Sequence, residues 1–339
     1  MRVLHVYDDR FNEHLNPPGH PERPERLDAV VRGVRSARGI ELIEMLPEPA
    51  DPDLIHLVHT PNYVRFIEEV SKTGGGRLDP DTSASSGSWE AAIRAAGAGP
   101  LAVQALQDGI ADSAFLSLRP PGHHAEADRA MGFCLFNNVA ITAAWLAEAG
   151  SRVAIFDWDV HHGNGTQHSL YRHPDILFVS MHEYPLYPGT GWLDECGTGK
   201  GEGLTINIPV AARTGGDLYS AATENVIVPI LTEFEPDWLL VSAGYDAHVR
   251  DPLASVRLQG GDYAVITSML GSVVPPNRTI FFLEGGYDLH ALETSTRATL
   301  EAIGTADSDG SEDAARTERE AWERLAAAET TQKRYWKLT

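Results

Sequence analysis

The sequence predicts an α/β protein built on a mostly parallel sheet with helices on both faces. Two observations carry that expectation: apolar runs of strand length alternate with longer stretches of helical length, and unusual polar clusters follow directly after strand-like runs. Strands buried on both faces are apolar throughout, without the alternation of a half-exposed sheet. In an open parallel sheet ligands bind beyond the carboxyl ends of the strands, so the polar clusters mark the functional end.

Runs at 3–7, 114–118, 153–156, 176–180, 204–208, 238–242 and 279–283 read as buried strands. Between them, 90–108, 139–148, 218–233 and 262–270 have helical length and period. The order strand, helix, strand points to parallel pairing, because parallel neighbours need a crossover long enough to hold a helix. Gly74-Gly75-Gly76 followed by the serine-rich 83–88 reads as a flexible surface loop. The expected organisation is a main domain over 1–304, an acidic linker over 305–313, and a C-terminal helix and tail over 314–339 packed on or extending from the domain.

With 339 residues, 42% of them hydrophobic, the chain can bury a large core within one domain. No run approaches the roughly 18 apolar residues that cross a bilayer, and the start lacks the apolar stretch of a secretory signal, so a cytoplasmic location is expected. The formal net charge of -21 disfavours direct nucleic-acid binding and anionic membranes and would draw in a cationic substrate. Lysine is confined to Lys72, Lys200, Lys333 and Lys337, which fits either adaptation to high salt or a GC-rich genome. Cys134 and Cys196 form neither a disulfide framework nor a Cys-x-x-Cys zinc site, so any metal must rest on His, Asp and Glu.

Four clusters carry candidate chemistry. Arg119-Pro120-Pro121-Gly122-His123-His124 turns the chain after a strand and leaves two adjacent imidazoles there, groups that titrate near neutral pH. Asp157-Trp158-Asp159-Val160-His161 follows the run 153–156; continued strand alternation would put Asp157, Asp159 and His161 on one face. Neighbouring buried carboxylates need a compensating cation, and oxygen with imidazole nitrogen suits zinc or iron of similar size. The competing structural reading makes the two acids caps of the next helix. Gly244-Tyr245-Asp246 ends another strand, where Asp246 can supply a third ligand and leave a fourth position for water. Glu284-Gly285-Gly286-Tyr287 places a phenol on a glycine hinge, able to donate to a developing oxyanion or simply to pack over a turn.

Pro121-Gly122-His123-His124, the run Gly132-Phe133-Cys134-Leu135-Phe136-Asn137-Asn138, the stretch 157–167, Tyr187-Pro188-Gly189-Thr190-Gly191 and Glu284-Gly285-Gly286-Tyr287 resemble the histone deacetylase superfamily, which includes acetylpolyamine amidohydrolases. The match runs from His20 to about Ile303. The resemblance implies an arginase-like three-layer α/β/α sandwich with a mostly parallel eight-stranded central sheet. It implies one zinc held by Asp159, His161 and Asp246, with His124 as general base and acid, His123 as its electrostatic partner and Tyr287 as oxyanion donor. Asp157 would orient His123 and Asn164 would partner His124, an asparagine marking the class II-like branch. Gly132, Phe133 and Tyr187 would line a narrow channel, Leu253 would stand at its rim, and Arg26 would sit near an inner exit cavity. A potassium ion would use Asp157, Asp159, His161, Ser180 and Met181.

The expected activity is therefore zinc-dependent hydrolysis of linear N-acyl amides, with acylated lysine as substrate and acylated polyamine as runner-up. Leu253, where polyamine-specific relatives can carry an acid, favours acyl-lysine; the overall acidity and Asp79 or Asp81 pull towards polyamines. A two-manganese ureohydrolase is disfavoured because Gly163 and His248 stand where its additional carboxylates would be. A non-catalytic acyl-lysine binder would be expected to lose a ligand or the oxyanion donor, and neither is lost here. Bacterial members of the family are commonly oligomeric, so a homo-oligomer is expected.

Overall fold

The computed structural model describes residues 1–271, 273–303 and 317–338. Its strands are β1 (Arg2–Val6), β2 (Glu41–Met45), β3 (Gly75–Arg77), β4 (Ser83–Ser85), β5 (Ser113–Leu116), β6 (Val153–Asp157), β7 (Ile176–Glu183), β8 (Thr205–Val210), β9 (Trp238–Ala243) and β10 (Thr279–Leu283). Among the described residues eight of these form one sheet in the order β2-β1-β5-β10-β9-β6-β7-β8. Every neighbouring pair in it is parallel. Strands β5 to β9 are buried at every position, which is why they are apolar runs without alternation.

One group of helices, Glu25–Ser36, Leu289–Ala302 and Gly260–Leu270, packs together, and a second, Pro61–Lys72, Ser88–Gln107 and Asn138–Glu148, forms a separate layer. With the sheet between them the chain is the expected three-layer sandwich. The crossovers bring β5, β10, β9 and β6 side by side in the middle of the sheet, and these are the strands that the four polar clusters follow. Clusters spread from residue 119 to 287 thus share one end of the sheet.

Three features differ from the sequence expectation. Strand β2 was not foreseen: Glu41-Leu42-Ile43-Glu44-Met45 is short and half polar, because it is an edge strand with Glu41 and Glu44 exposed. The stretch expected to be a flexible loop is instead a hairpin, with β3 antiparallel to β4 and Leu78 N donating to Thr82 O at 2.8 Å across the turn. Gly75 permits it, since a Cβ there would lie 2.3 Å from Ala84 O at a φ of +96°. The helix expected over 218–233 is divided, with a wide π-type turn at Thr223–Ile227 between Gly216–Ala222 and Val228–Phe234. The acidic linker and residues 314–316 of the expected terminal helix lie outside the described residues. The helix Arg319–Gln332 packs against β8, and Trp336 Nε1 just beyond it donates to Gly203 O at 3.0 Å. No helix among the described residues is long and apolar enough to cross a membrane.

Gly33 marks where Glu25–Ser36 crosses Leu289–Ala302: a Cβ there would meet Glu293 O at 2.5 Å. Alanine inside a helix normally gains about 0.5–1 kcal/mol over glycine. Here overpacking is expected to reverse the sign, so Gly33→Ala should destabilise by about 1–2 kcal/mol in urea unfolding. A variant as stable as the parent would show that the two helices can part without cost.

Candidate active site

The turn after β5 is fixed from beneath. Glu284 Oε2 accepts from Gly122 N at 2.7 Å and from His123 N at 3.1 Å, so the carboxyl just beyond β10 shapes the loop that carries both histidines. Burial, only partly offset by the nearby His123 charge and these amides, lifts the Glu284 carboxyl to about 7. Arg119, which opens the same loop, is fully buried and donates to Glu22 Oε2 at 2.8 Å, Phe11 O at 2.8 Å and His14 O at 3.0 Å. Arg26 Nη1 reaches the other Glu22 oxygen at 3.0 Å. Burial opposes charge on Glu22, but the two guanidinium groups outweigh it and hold the carboxyl far below its ordinary value.

Strand β6 ends at Asp157, so the alternation used to align Asp157, Asp159 and His161 does not extend to the last two. Side chains that turn back on the backbone do the work instead. Asp157 Oδ1 accepts from Asp159 N at 3.1 Å, and Asp159 Oδ1 accepts from His161 N at 2.9 Å, successive turns of the Asx kind. Asp246, beyond β9, locks the same bend by accepting from Val160 N at 2.9 Å. Asp159 Oδ2 accepts from Gly285 N at 2.8 Å.

These turns bring Asp159, His161 and Asp246 together, with one ligand-type atom from each within 4.8 Å of the others and all three residues buried. His161 Nδ1 lies 3.2 Å from Asp159 Oδ1 and 3.1 Å from Asp246 Oδ2. Two glycines leave the space: a Cβ on Gly244 would lie 2.1 Å from Asp159 Oδ2, and one on Gly285 would lie 2.1 Å from Asp246 Oδ2. Burial disfavours charge on His161, yet its bonds to both carboxylates raise it to about 10. Burial and the Asp159 charge push Asp246 up. A proton on Nδ1 meets here the demand that a divalent cation would meet, and a donor set of two carboxylates and one imidazole fits zinc.

The paired histidines beside this cluster have unlike surroundings. His123 Nδ1 is 3.0 Å from Asp157 Oδ2, and His124 Nδ1 is 2.8 Å from Asn164 Oδ1, with the two rings 4.0 Å apart. Burial opposes charging of His123, but Asp159 and Asp157 hold it protonated well above its ordinary value. Burial, then the charges of His123 and His161, push His124 well below its own. Neighbouring groups driven apart in this way are suited to separate roles in proton transfer.

A cavity of about 220 Å³ opens over them, lined by His124, His161, Gly132, Phe133, Tyr187, Leu186, Tyr287, Leu253 and Asp81. A Cβ on Gly132 would lie 2.3 Å from His124 Cδ2. Phe133 adopts a left-handed φ of 69° and is held there by its N–H bond to Thr82 Oγ1 at 2.9 Å. Tyr187 stands edge-on to His124 with ring centres 5.1 Å apart. Of the two acids considered for the rim, Asp81 lines the cavity, whereas Asp79 pairs with Arg129 at 2.8 Å.

Arg26, expected near an inner exit cavity, is not among the residues that line this cavity. It is fully buried behind Tyr287, with Cζ 4.9 Å from the ring centre, and donates at 2.6 Å to both Gly286 O and Glu284 O. Ser180 pairs in register with Asp157, and its hydroxyl lies 2.9 Å from His182 Nδ1; Met181 follows it on β7. Asp251 was not foreseen. It accepts from Tyr287 N at 2.7 Å and from Leu253 N at 3.0 Å, tying the phenol to the opposite lining residue. Burial and the Asp246 charge lift it to about 7.

The family model for the histone deacetylase domain matches residues 20–303. The chain belongs to the histone deacetylase family. A probable deacetylase of Archaeoglobus fulgidus is 44% identical over 236 residues, covering 68% of this chain and 66% of that protein. Histone deacetylase 14, chloroplastic, of Arabidopsis thaliana is 40% identical over 75% of this chain and 64% of its own length. A histone deacetylase-like amidohydrolase of Pseudomonas aeruginosa is 39% identical over 68% of this chain and 62% of its own length. The chain therefore matches slightly less than two thirds of these relatives. The crystal structure of the HDA15 HD domain is similar with a TM-score of 0.89 at 32% identity, over 98% of this chain and 96% of that one. This histone deacetylase family member thus shares nearly the whole fold of that domain.

Replacing Glu22 by glutamine leaves two buried guanidinium groups short of counter-charge and is expected to cost about 3–5 kcal/mol at pH 7. Because the folded carboxyl lies below its unfolded value near ~4.3, its contribution is complete above that pH and is lost as pH falls towards the folded value. The parent–variant gap in urea unfolding should therefore narrow only on the acid side of about pH 4.3. A gap that stayed constant from neutral pH to strong acid would contradict the ion-pair account.

Proposed function

We propose that the protein is a zinc-dependent deacylase that hydrolyses linear N-acyl amides of lysine-like amines. The observation that carries this is the convergence of Asp159, His161 and Asp246 beside two histidines with unlike partners, Asp157 and Asn164, at a cavity whose lining also holds Tyr287. Asp159, His161 and Asp246 would hold zinc, which when bound polarises the acyl carbonyl and acidifies water.

The chain's own residues supply the rest. His124, with Nδ1 engaged by Asn164, takes the proton from water at Nε2 and returns it to the leaving amine. His123, kept charged against Asp157, provides positive charge close to the reacting centre. Tyr287, held by Asp251 and Arg26, donates its hydroxyl to the oxyanion, an interaction made best in the transition state. Phe133, Gly132, Tyr187 and Leu253 enclose an unbranched chain. A potassium ion would be held by Asp157, Asp159, His161, Ser180 and Met181, with the β6–β7 pairing of Asp157 and Ser180 in its favour.

A second carboxylate site of the ureohydrolase kind is disfavoured by space, since a Cβ at Gly163 would lie 2.2 Å from Asp157 Oδ2. Asp81 in the cavity lining keeps acylated polyamines as the second reading, because it offers an acid to a distal ammonium.

Turnover of acetyl-lysine peptide, longer acyl-lysine and acetylpolyamine by zinc-loaded protein ranks the substrates; negligible rates on all three would overturn the proposal. Tyr287→Phe should lower kcat by about 10²–10³-fold with little change in KM. Asn164→Asp puts a carboxylate beside His124, favours imidazolium and should move the acidic limb of the pH–rate profile upwards. An unmoved limb would show that His124 is not the titrating base. Calorimetric titration should find one zinc site per chain, lost in Asp246→Ala.

A further inference from the structure

We propose that Glu126 is a positioning residue: it sets the orientation of the Asn164 amide and thereby the tautomer of His124. The inference rests on the reading of His124 as proton acceptor and assigns the group that makes its Nε2 available. Asn164 Nδ2 donates to Glu126 Oε1 at 2.5 Å. Its other neighbours, His124 O at 3.4 Å and Met131 Sδ at 3.5 Å, are also acceptors. Every group on that side of the amide accepts, so only the NH₂ end fits there. The carbonyl end must then face His124 Nδ1, at 2.8 Å. An oxygen facing Nδ1 requires the ring proton on Nδ1, which leaves the Nε2 lone pair free for water.

With the amide reversed, Oδ1 would press against the Glu126 carboxylate and Nδ2 would donate to Nδ1. The ring proton would then sit on Nε2, and His124 could not act as base. A histidine in the wrong tautomer costs serine proteases on the order of 10⁴ in kcat while leaving the site's geometry intact.

Glu126 is well placed to discriminate. Its backbone is fixed in a turn, with N donating to Arg129 O at 2.9 Å and O lying 2.9 Å from His59 Nδ1. Its Oε1 also meets His168 Nδ1 at 2.7 Å, and that hydrogen bond holds His168 above its ordinary pKa. Glu126, Asn164 and His168 line a second cavity of about 360 Å³. The carboxylate thus stands behind Asn164, on the side away from His124.

The test replaces the acceptor with a donor. Glu126→Lys should reverse the amide and lower kcat by about 10–100-fold with KM changed far less; Glu126→Gln, which can accept or donate, should fall between. In an Asn164→Asp background both ends of the side chain accept and there is no amide to reverse, while Glu126→Lys replaces a carboxylate–carboxylate contact by an ion pair, so the fall in kcat should disappear. Nitrogen-15 NMR of histidine-labelled protein should show His124 protonated at Nδ1 in the parent and shifted towards Nε2 in Glu126→Lys. That spectrum needs no substrate, so it separates failure of this inference from failure of the deacylase reading. An unchanged tautomer in both Glu126 variants, or an equal loss of kcat in the Asn164→Asp background, would overturn it.

Discussion

Concentrated negative charge without water is the constraint on which the site depends. Asp157, Asp159, Asp246 and Glu284 are fully buried at or just beyond the ends of central strands, where an uncompensated carboxylate costs several kcal/mol. The surrounding chain is arranged to meet that cost. Backbone amides of Asp159, Val160, His161 and Gly285 donate to these oxygens, and two glycines remove the side chains that would displace them. What remains is a demand for positive charge at one point, and it drives His161, bonded to Asp159 and Asp246, towards its charged form.

The same charge makes two adjacent histidines unlike. His123 faces Asp157 and is held charged; His124 faces the neutral amide of Asn164 and, with charged rings nearby, is held uncharged. Neighbouring side chains of one type are thereby driven in opposite directions, by burial and by the charges around each. Tyr287 is placed with comparable economy, by Asp251 on its backbone and Arg26 across its ring.

Much of this was legible in the sequence for a physical reason. Strands buried on both faces must be continuous apolar runs, and chemistry in a parallel sheet must gather where those runs end, so β5, β6, β9 and β10 announced their own polar clusters. Strand β2 escaped because an edge strand needs no such run. The helices Glu25–Ser36, Pro61–Lys72 and Leu289–Ala302 were also not among those expected, although apolar positions interspersed with charged and polar ones are what an amphipathic helix shows. Asp251, Glu284 and Glu126 gave no role in advance, because each takes its meaning from amides or side chains more than thirty residues away. The expected alternation of Asp157, Asp159 and His161 along a strand ends at Asp157, and Asx turns bring Asp159 and His161 together in its place.

The two borders of the central sheet are protected by different means. At β2 the outermost backbone is flanked by the exposed carboxylates of Glu41 and Glu44, which would repel a like strand from another copy. At β8 the helix Arg319–Gln332 lies against the border strand, and Arg324 extends to Tyr184 O and Val210 O at the ends of β7 and β8. The terminal segment therefore covers one border of the sheet, at a distance in the fold order from the central strands that carry the polar clusters.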